Sequence, residues 1–255
     1  MNIESLARQK RTDIVALIIG RGNNTLKDKN ILPVHGKPLL QWGALAAKRS
    51  KFIGRYYISS DCDKILSAGL AVDFKAIQRP DELASPTSQS SDVVKHATQI
   101  IESEGDLAIM VVIHANVGTI TTEMIDSCIE LLLSNSRLSS VVPSHTKDEY
   151  HPLRGKKINE LGELVPFVDG VTKVSANRQD LEKCLFFDHS FWVLDKVNGI
   201  ESPDGQYPWP VMGNHILPYI TEGCFDVHDL EDLKTTEDWI LDHGILDNYR
   251  SEGLI

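Results

Sequence analysis

Cysteine is scarce in this 255-residue chain, and the four present (Cys62, Cys128, Cys184 and Cys224) stand far apart with no Cys-x-x-Cys pair. That spacing argues against a disulfide framework or a zinc site, and the expectation is four buried thiols. No apolar run approaches the roughly 20 residues needed to span a bilayer. The first eleven residues, Met1 to Arg11, lack a signal peptide's apolar centre, so a cytoplasmic location with no membrane partner is expected. Basic residues are outnumbered, 26 against 36 acidic, for a net charge of −10. Nucleic acids and anionic membranes demand a broad basic face, so neither is an expected partner. Low-complexity tracts and internal repeats are also missing.

Against this acidic background one segment reverses the sign. Ala16-Leu-Ile-Ile-Gly20 ends in a loop of small and polar residues carrying Arg21, Lys27 and Lys29, and Gly36-Lys-Pro-Leu-Leu40 follows. Backbone N–H groups left unpaired in such a loop, with cations beside them, suit the oxygens of a polyphosphate. The substrate is therefore expected to be anionic.

The rest of the chain alternates strand and helix. Asp13–Ile19, Arg55–Ser60, Val72–Ile77 and Leu107–Ile113 are short, apolar or β-branched runs that predict strands, the last being the most apolar and so central. Helices are expected over Pro38–Arg49, Asp63–Gly69, Ser91–Ile101 (capped by Ser90 or Ser91), from a Thr121 or Thr122 cap to Leu133, and over Asp232–His243. This order implies an α/β three-layer sandwich with a mostly parallel central sheet. After Ser139-Ser-Val-Val-Pro143 the composition turns to Lys, Glu, Asn and Gly, with a strand-like piece at Leu164–Val168. Residues 144–182 therefore read as an inserted arm or lid within one domain formed by 1–143 and 183–255. Cys184–Leu194 and Phe225–Val227 read as strands.

Three phosphate-binding patterns compete for the loop. A Walker A loop needs Gly-x-x-x-x-Gly-Lys-Ser/Thr, which is absent. In the dinucleotide fingerprint Gly20 and Gly22 fit, but Thr25 stands where the third glycine belongs. A structural turn or a solvated basic loop would also look like this. A nucleotidyltransferase loop is the remaining reading, and it draws on residues elsewhere.

Six ordered blocks supply that support. Gly20-Arg21-Gly22, Lys29-Asn30-Ile31 with Gly36-Lys37-Pro38-Leu39, Ser59-Ser60-Asp61, Arg79-Pro80-Asp81-Glu82-Leu83-Ala84 with Asp92-Val-Val-Lys-His96, Arg178-Gln179-Asp180-Leu181 and Asp226-Val-His-Asp-Leu-Glu-Asp232-Leu233 occur at sensible spacing over residues 13 to 240. Together they resemble the cytidylyltransferases that activate acidic sugars, the group containing N-acylneuraminate cytidylyltransferase. The resemblance implies transfer of CMP from CTP to the anomeric hydroxyl of a 2-keto sugar acid, with release of pyrophosphate.

What it implies for single residues follows block by block. Arg21 and Lys29 would hold the triphosphate, closed by the backbone of Gly20, Gly22 and Asn23, with Lys27 a second candidate in a loop one residue shorter than the family's. Arg79, held extended by Pro80, would lie beside the nucleotide; a surface ion pair with Asp81 or Glu82 is the alternative. Ser60 and Asp61 would sit at the carboxyl edge of the sheet, where open α/β folds bind ligands; the Asp-x-Asp of Asp61-Cys62-Asp63 is read as coincidence. Magnesium is the expected cofactor, with Asp226 as its ligand and His228 at the family's second aspartate, although imidazole is a poorer partner for a hard cation. Asp232 would begin the last helix, where a carboxylate complements the dipole. Arg178 and Gln179 would take the acceptor's carboxylate, with Lys156 or Lys157 contributing. A homodimer is implied, its inserted arm crossing to the partner subunit.

The acceptor half departs most from the family pattern. His114-Ala-Asn-Val-Gly-Thr-Ile120 replaces Gln-Pro-Thr-Ser-Pro-Leu-Arg, Asp188-His189-Ser190 replaces an Asn-Gly, and Ser85-Pro86 replaces an aspartate. His114 and Asn116 become acceptor-contact candidates. The acceptor itself stays open among N-acylneuraminate, legionaminate, pseudaminate and deoxy-octulosonate. A nucleotidyltransferase with another acceptor, and a nucleotide-binding scaffold protein without turnover, are the competing functions.

Overall fold

The computed structural model describes residues 10–146, 151–170 and 173–255, without the side chain of Arg178. The leader reading of Met1 to Gln9 and parts of the arm therefore lie outside the described residues.

The run from Ile14 to Ile19 is apolar at every position because both faces of its strand are covered. In β1 (Arg11–Ile19) the side chains of Ile14, Ala16 and Ile18 enter one core cluster, and Val15, Leu17 and Ile19 enter another. The chain continues through α1 (Leu39–Arg49), β2 (Ile53–Ser60), α2 (Asp63–Leu70), β3 (Lys75–Gln78), α3 (Ser90–Glu102), β4 (Ile109–His114), α4 (Thr122–Ser134) and β5 (Ser140–Thr146). A small hairpin, β6 (Lys156–Ile158) with β7 (Leu164–Pro166), occupies the arm. Then come β8 (Leu185–Phe187), β9 (Phe191–Asp195), β10 (Ile216–Ile220), α5 (Leu230–Asp242) and α6 (Ile245–Ser251).

The eight-stranded sheet has the order β8-β5-β9-β4-β1-β2-β3, with β10 also paired to β5. Pairings β1–β2, β1–β4, β2–β3 and β5–β10 are parallel, while β9 and β8 run against their neighbours. Residues of α1, α2 and α4 pack on one face of the sheet. Those of α3, with Val211 and Met212, pack on the other. This is the expected three-layer arrangement. A third cluster joins Trp42 of α1, stacked on Tyr249 at 5.8 Å, to Val227, Ile240 and Leu246.

Thr121 caps α4 by accepting from the Met124 N–H at 3.2 Å. Other boundaries differ from expectation. The cap position of α3 is Gln89, and neither Ser90 nor Ser91 supplies a side-chain cap. The third strand starts at Lys75 because Val72 and Asp73 belong to a turn in which Asp73 takes a positive φ. Cys184–Leu194 is two strands interrupted at Asp188-His189-Ser190: β8 pairs with β5, and β9 pairs with both β5 and β4. Phe225–Val227 contributes only a single bridge, Val117 to Asp226. Of the four cysteines only Cys128 is buried; the others are half-buried, and none forms a disulfide. No described helix is long and apolar enough to cross a membrane.

Candidate active site

Strands β1, β2, β3 and β4 are parallel, so their carboxyl ends lie on one edge of the sheet. The order reverses at β1, whose successor β2 lies on one side and β4 on the other, and ligands of open α/β sheets bind in the crevice at such a point. A cavity of about 330 Å³ opens there. Arg21, Lys29, Arg79, His114 and Asn116, drawn from three segments, line it together with Asn24, Asn30, Ser85, Ser88 and Val93.

The loop after β1 is shaped by close approach. A Cβ on Gly20 would meet the Ala115 Cβ at 2.7 Å, and one on Gly22 would meet the Cys62 Cβ at the same distance. The Gly22 N–H donates to Asp61 Oδ1 at 2.9 Å. Asn24 and Asn30 both donate to the Arg21 carbonyl, at 2.7 and 3.1 Å. These bonds hold the backbone so that the Arg21 guanidinium reaches the Ser85 carbonyl at 3.1 Å across the cavity. Asn30 spends its N–H₂ there, and its buried Oδ1 has no partner among the described residues.

Lys29 is half-buried and donates to the Val227 carbonyl at 2.9 Å. Burial lowers its pKa; Asp226 opposes that shift and Arg21 adds to it. Arg79 is only 5% exposed. Its guanidinium donates to the Ser59 carbonyl at 2.7 Å, so the alternative of a surface pair with Asp81 or Glu82 does not hold. Burial pulls its pKa down to about 10, with Asp61 opposing and Arg21 assisting. Three cations facing one cavity, half-buried or buried and without a bidentate carboxylate partner among the described residues, are poised for an anion.

On the far side the Asp226 backbone bridges to Val117, and the Val227 N–H donates to the Asn116 carbonyl at 3.1 Å. The Asn116 side chain donates to Asp226 Oδ1. Burial raises the Asp226 pKa, against the pull of His228, Lys29 and His189. His228 is exposed, with Nε2 3.3 Å from Asp226 Oδ2. Asp232 completes a capping box with Asp229 at the start of α5, which is its expected place in the helix.

No three His, Cys, Asp or Glu side chains gather into a metal cage among the described residues. Magnesium bound mostly through phosphates and water needs only one or two protein carboxylates, and Asp226 can offer one. His228 fits that role poorly, since imidazole prefers softer metals.

The remaining candidates are dispersed. Ser60 is fully buried and accepts from the Cys62 N–H at 3.1 Å, shaping the turn that carries Asp61. Asn23 and Lys27 are exposed and outside the cavity lining. Gln179 is exposed in a short turn, Arg178–Asp180, on the arm, also outside the lining; the Arg178 side chain lies outside the described residues. Sequence reasoning passed over Asn30 and Ser85 as site residues, although both stood in or beside quoted blocks. It also passed over His189, whose positive φ of 53° no motif announces.

An open, mainly parallel α/β sheet with a cationic cavity at its order reversal has the architecture of the nucleotidyltransferases. A solved structure described as CMP:2-keto-3-deoxy-manno-octonic acid synthetase complexed with CTP superposes with a TM-score of 0.66 at 14% identity, covering 91% of this chain and 100% of the other. A cytidylyltransferase from Leptospira borgpetersenii superposes at 0.59 with 13% identity, over 95% of this chain and 96% of that one. The chain belongs to the cytidylyltransferase family, whose model matches residues 15–157. It is 31% identical over 103 residues to N-acylneuraminate cytidylyltransferase of Escherichia coli, and 33% identical over 95 residues to N-acylneuraminate cytidylyltransferase A of Danio rerio. Those segments cover 39% and 37% of this chain, but only 24% and 22% of the two relatives. Pseudaminic acid cytidylyltransferase of Campylobacter jejuni is 26% identical over 64% of this chain and 69% of its own.

Proposed function

We propose that this protein transfers CMP from CTP to the anomeric hydroxyl of a 2-keto sugar acid and releases pyrophosphate. The observation that carries the reading is the convergence of Arg21, Lys29 and Arg79 on one cavity, in a chain of this family. The acceptor hydroxyl oxygen attacks the α-phosphorus and gives up its proton to water, the new P–O bond forms, and the bond from the α-phosphorus to the bridging oxygen breaks, its electron pair leaving with pyrophosphate. Little covalent help is required; alignment and neutralisation of the departing charge do most of the work. Arg21 and Lys29 hold the triphosphate and Arg79 the nucleotide beside it. Asp226, oriented by Asn116, offers a carboxylate oxygen to magnesium, which when bound would offset charge on the phosphates.

The acceptor belongs to the class handled by the relatives: an N-acylneuraminate, a pseudaminate or a deoxy-octulosonate. The test is pyrophosphate release with each of the four nucleoside triphosphates against a panel of these acids, with magnesium. Turnover with CTP alone supports the reading; a preference for another nucleotide, or none, overturns it. The His228 contact to Asp226 favours one second reading, a nucleotide-binding module without turnover. CTP binding that Arg21→Ala abolishes, with no pyrophosphate released from any acid, would select it. The exposed apolar residues of the arm, Ile158, Leu161, Leu164 and Phe167, support a homodimer formed through that segment.

A further inference from the structure

His114 ends β4 and lines the cavity beside Asn116. Its Nδ1 lies within hydrogen-bond reach of the His189 carbonyl. A carbonyl only accepts, so Nδ1 must carry the proton. In a neutral ring that leaves Nε2 with a lone pair. Nε2 is buried and has no hydrogen-bond partner among the described residues. Buried polar atoms are rarely left unpaired, and on a residue that lines a binding cavity such an atom points to a group that arrives with the ligand. The ring is held edge-on to Trp192 at 4.8 Å, so it cannot swing freely to find another partner. His189 is fixed in turn: its backbone sits in the left-handed region, and its ring packs on Trp209 at 4.7 Å.

Resting on the cytidylyltransferase reading, we infer that His114 determines acceptor specificity, its Nε2 accepting a hydrogen bond from a hydroxyl or amide N–H of the sugar acid, while the His189 carbonyl locks the tautomer. His114 thus recognises a donor on the acceptor and not its carboxylate. Burial, which pulls the His114 pKa down to about 4, agrees with a neutral ring at physiological pH. The pair Asp188-His189 stands where the family resemblance carries Asn-Gly, and His114 stands in the other substituted segment, so the two departures from the pattern form one unit.

The test uses the full chain, calorimetry with CTP alone, and steady-state kinetics with whichever acid of the panel turns over fastest. His114→Phe should raise the acceptor KM at least tenfold and leave CTP affinity within twofold, and His114→Gln, which restores an acceptor atom, should recover most of the loss. Nitrogen-15 NMR of the wild type should show the proton on Nδ1 across pH 5.5–8, a readout that does not depend on any variant folding. An unchanged acceptor KM in His114→Phe, an equal loss of CTP affinity, or a proton on Nε2 would overturn the proposal. A wild type that binds no CTP and turns over no acid sinks the cytidylyltransferase reading itself, a result distinct from an active enzyme indifferent to His114.

Discussion

Asp61 is where the structure converts a nucleotide-contact candidate into a loop anchor, and its substitution offers a quantitative test. The carboxylate accepts the Gly22 N–H at 2.9 Å from a half-buried position. Asp61→Ala leaves that N–H unpaired, a loss of about 1–3 kcal/mol for a hydrogen bond to a charged acceptor. Without ligand the loop can turn to water, so the cost should appear when CTP draws the loop back. That predicts roughly 5- to 150-fold weaker CTP binding, at about 1.4 kcal/mol per tenfold. Asp61→Asn keeps an acceptor oxygen but removes the charge that helps hold Arg79 protonated against burial. It should fall between wild type and alanine. Calorimetric titration with CTP, paired with thermal melts to exclude global damage, measures both. Unchanged CTP affinity in Asp61→Ala, with an unaltered melt, would refute the claim that this bond sets the loop.

Three further outcomes are expected. Gly20→Ala forces a methyl against Ala115 at 2.7 Å and should cost about 1–3 kcal/mol in urea unfolding, as overpacking does. The His114 pKa falls from 6.5 in the unfolded chain to about 4 in the folded one, so between those values the unfolded state binds the extra proton. Stability should therefore drop as pH falls from 6.5 towards 4, by an amount on the order of 3 kcal/mol, and urea melts of His114→Gln should lack this component. If the arm carries the dimer contact, Leu161→Asp with Leu164→Asp should give a monomer by light scattering while wild type gives a dimer; Leu161 is 82% exposed in the single chain.

The fold was legible wherever a strand is covered on both faces. Ala16–Ile19 and Leu107–Ile113 are apolar throughout because β1 and β4 are central, and Phe191–Leu194 of β9 follows the same pattern. β10 was not legible: Pro218 stands in its middle and its exposed positions, Pro218 and Ile220, carry no polar residue to mark an alternation, as suits a strand whose described pairing is with β5. α6 was missed because Gly244, at a positive φ of 64°, divides what composition reads as one helix and a tail. In the site, Arg21, Lys29 and Arg79 were legible as cations where the chain is otherwise acidic. The bonds that aim them were not. Asn116 meets Asp226 across 110 positions, and local sequence carries no trace of such a pairing.

Lys29 meets the Val227 carbonyl across 198 positions, and this has a bearing on how the site is assembled. The lysine proposed to hold the triphosphate gains this seat only after residue 227 has left the ribosome. A nascent chain halted before Val227 would own the cationic loop yet lack the clamp that steadies it, so the proposed nucleotide capture should await docking of that segment.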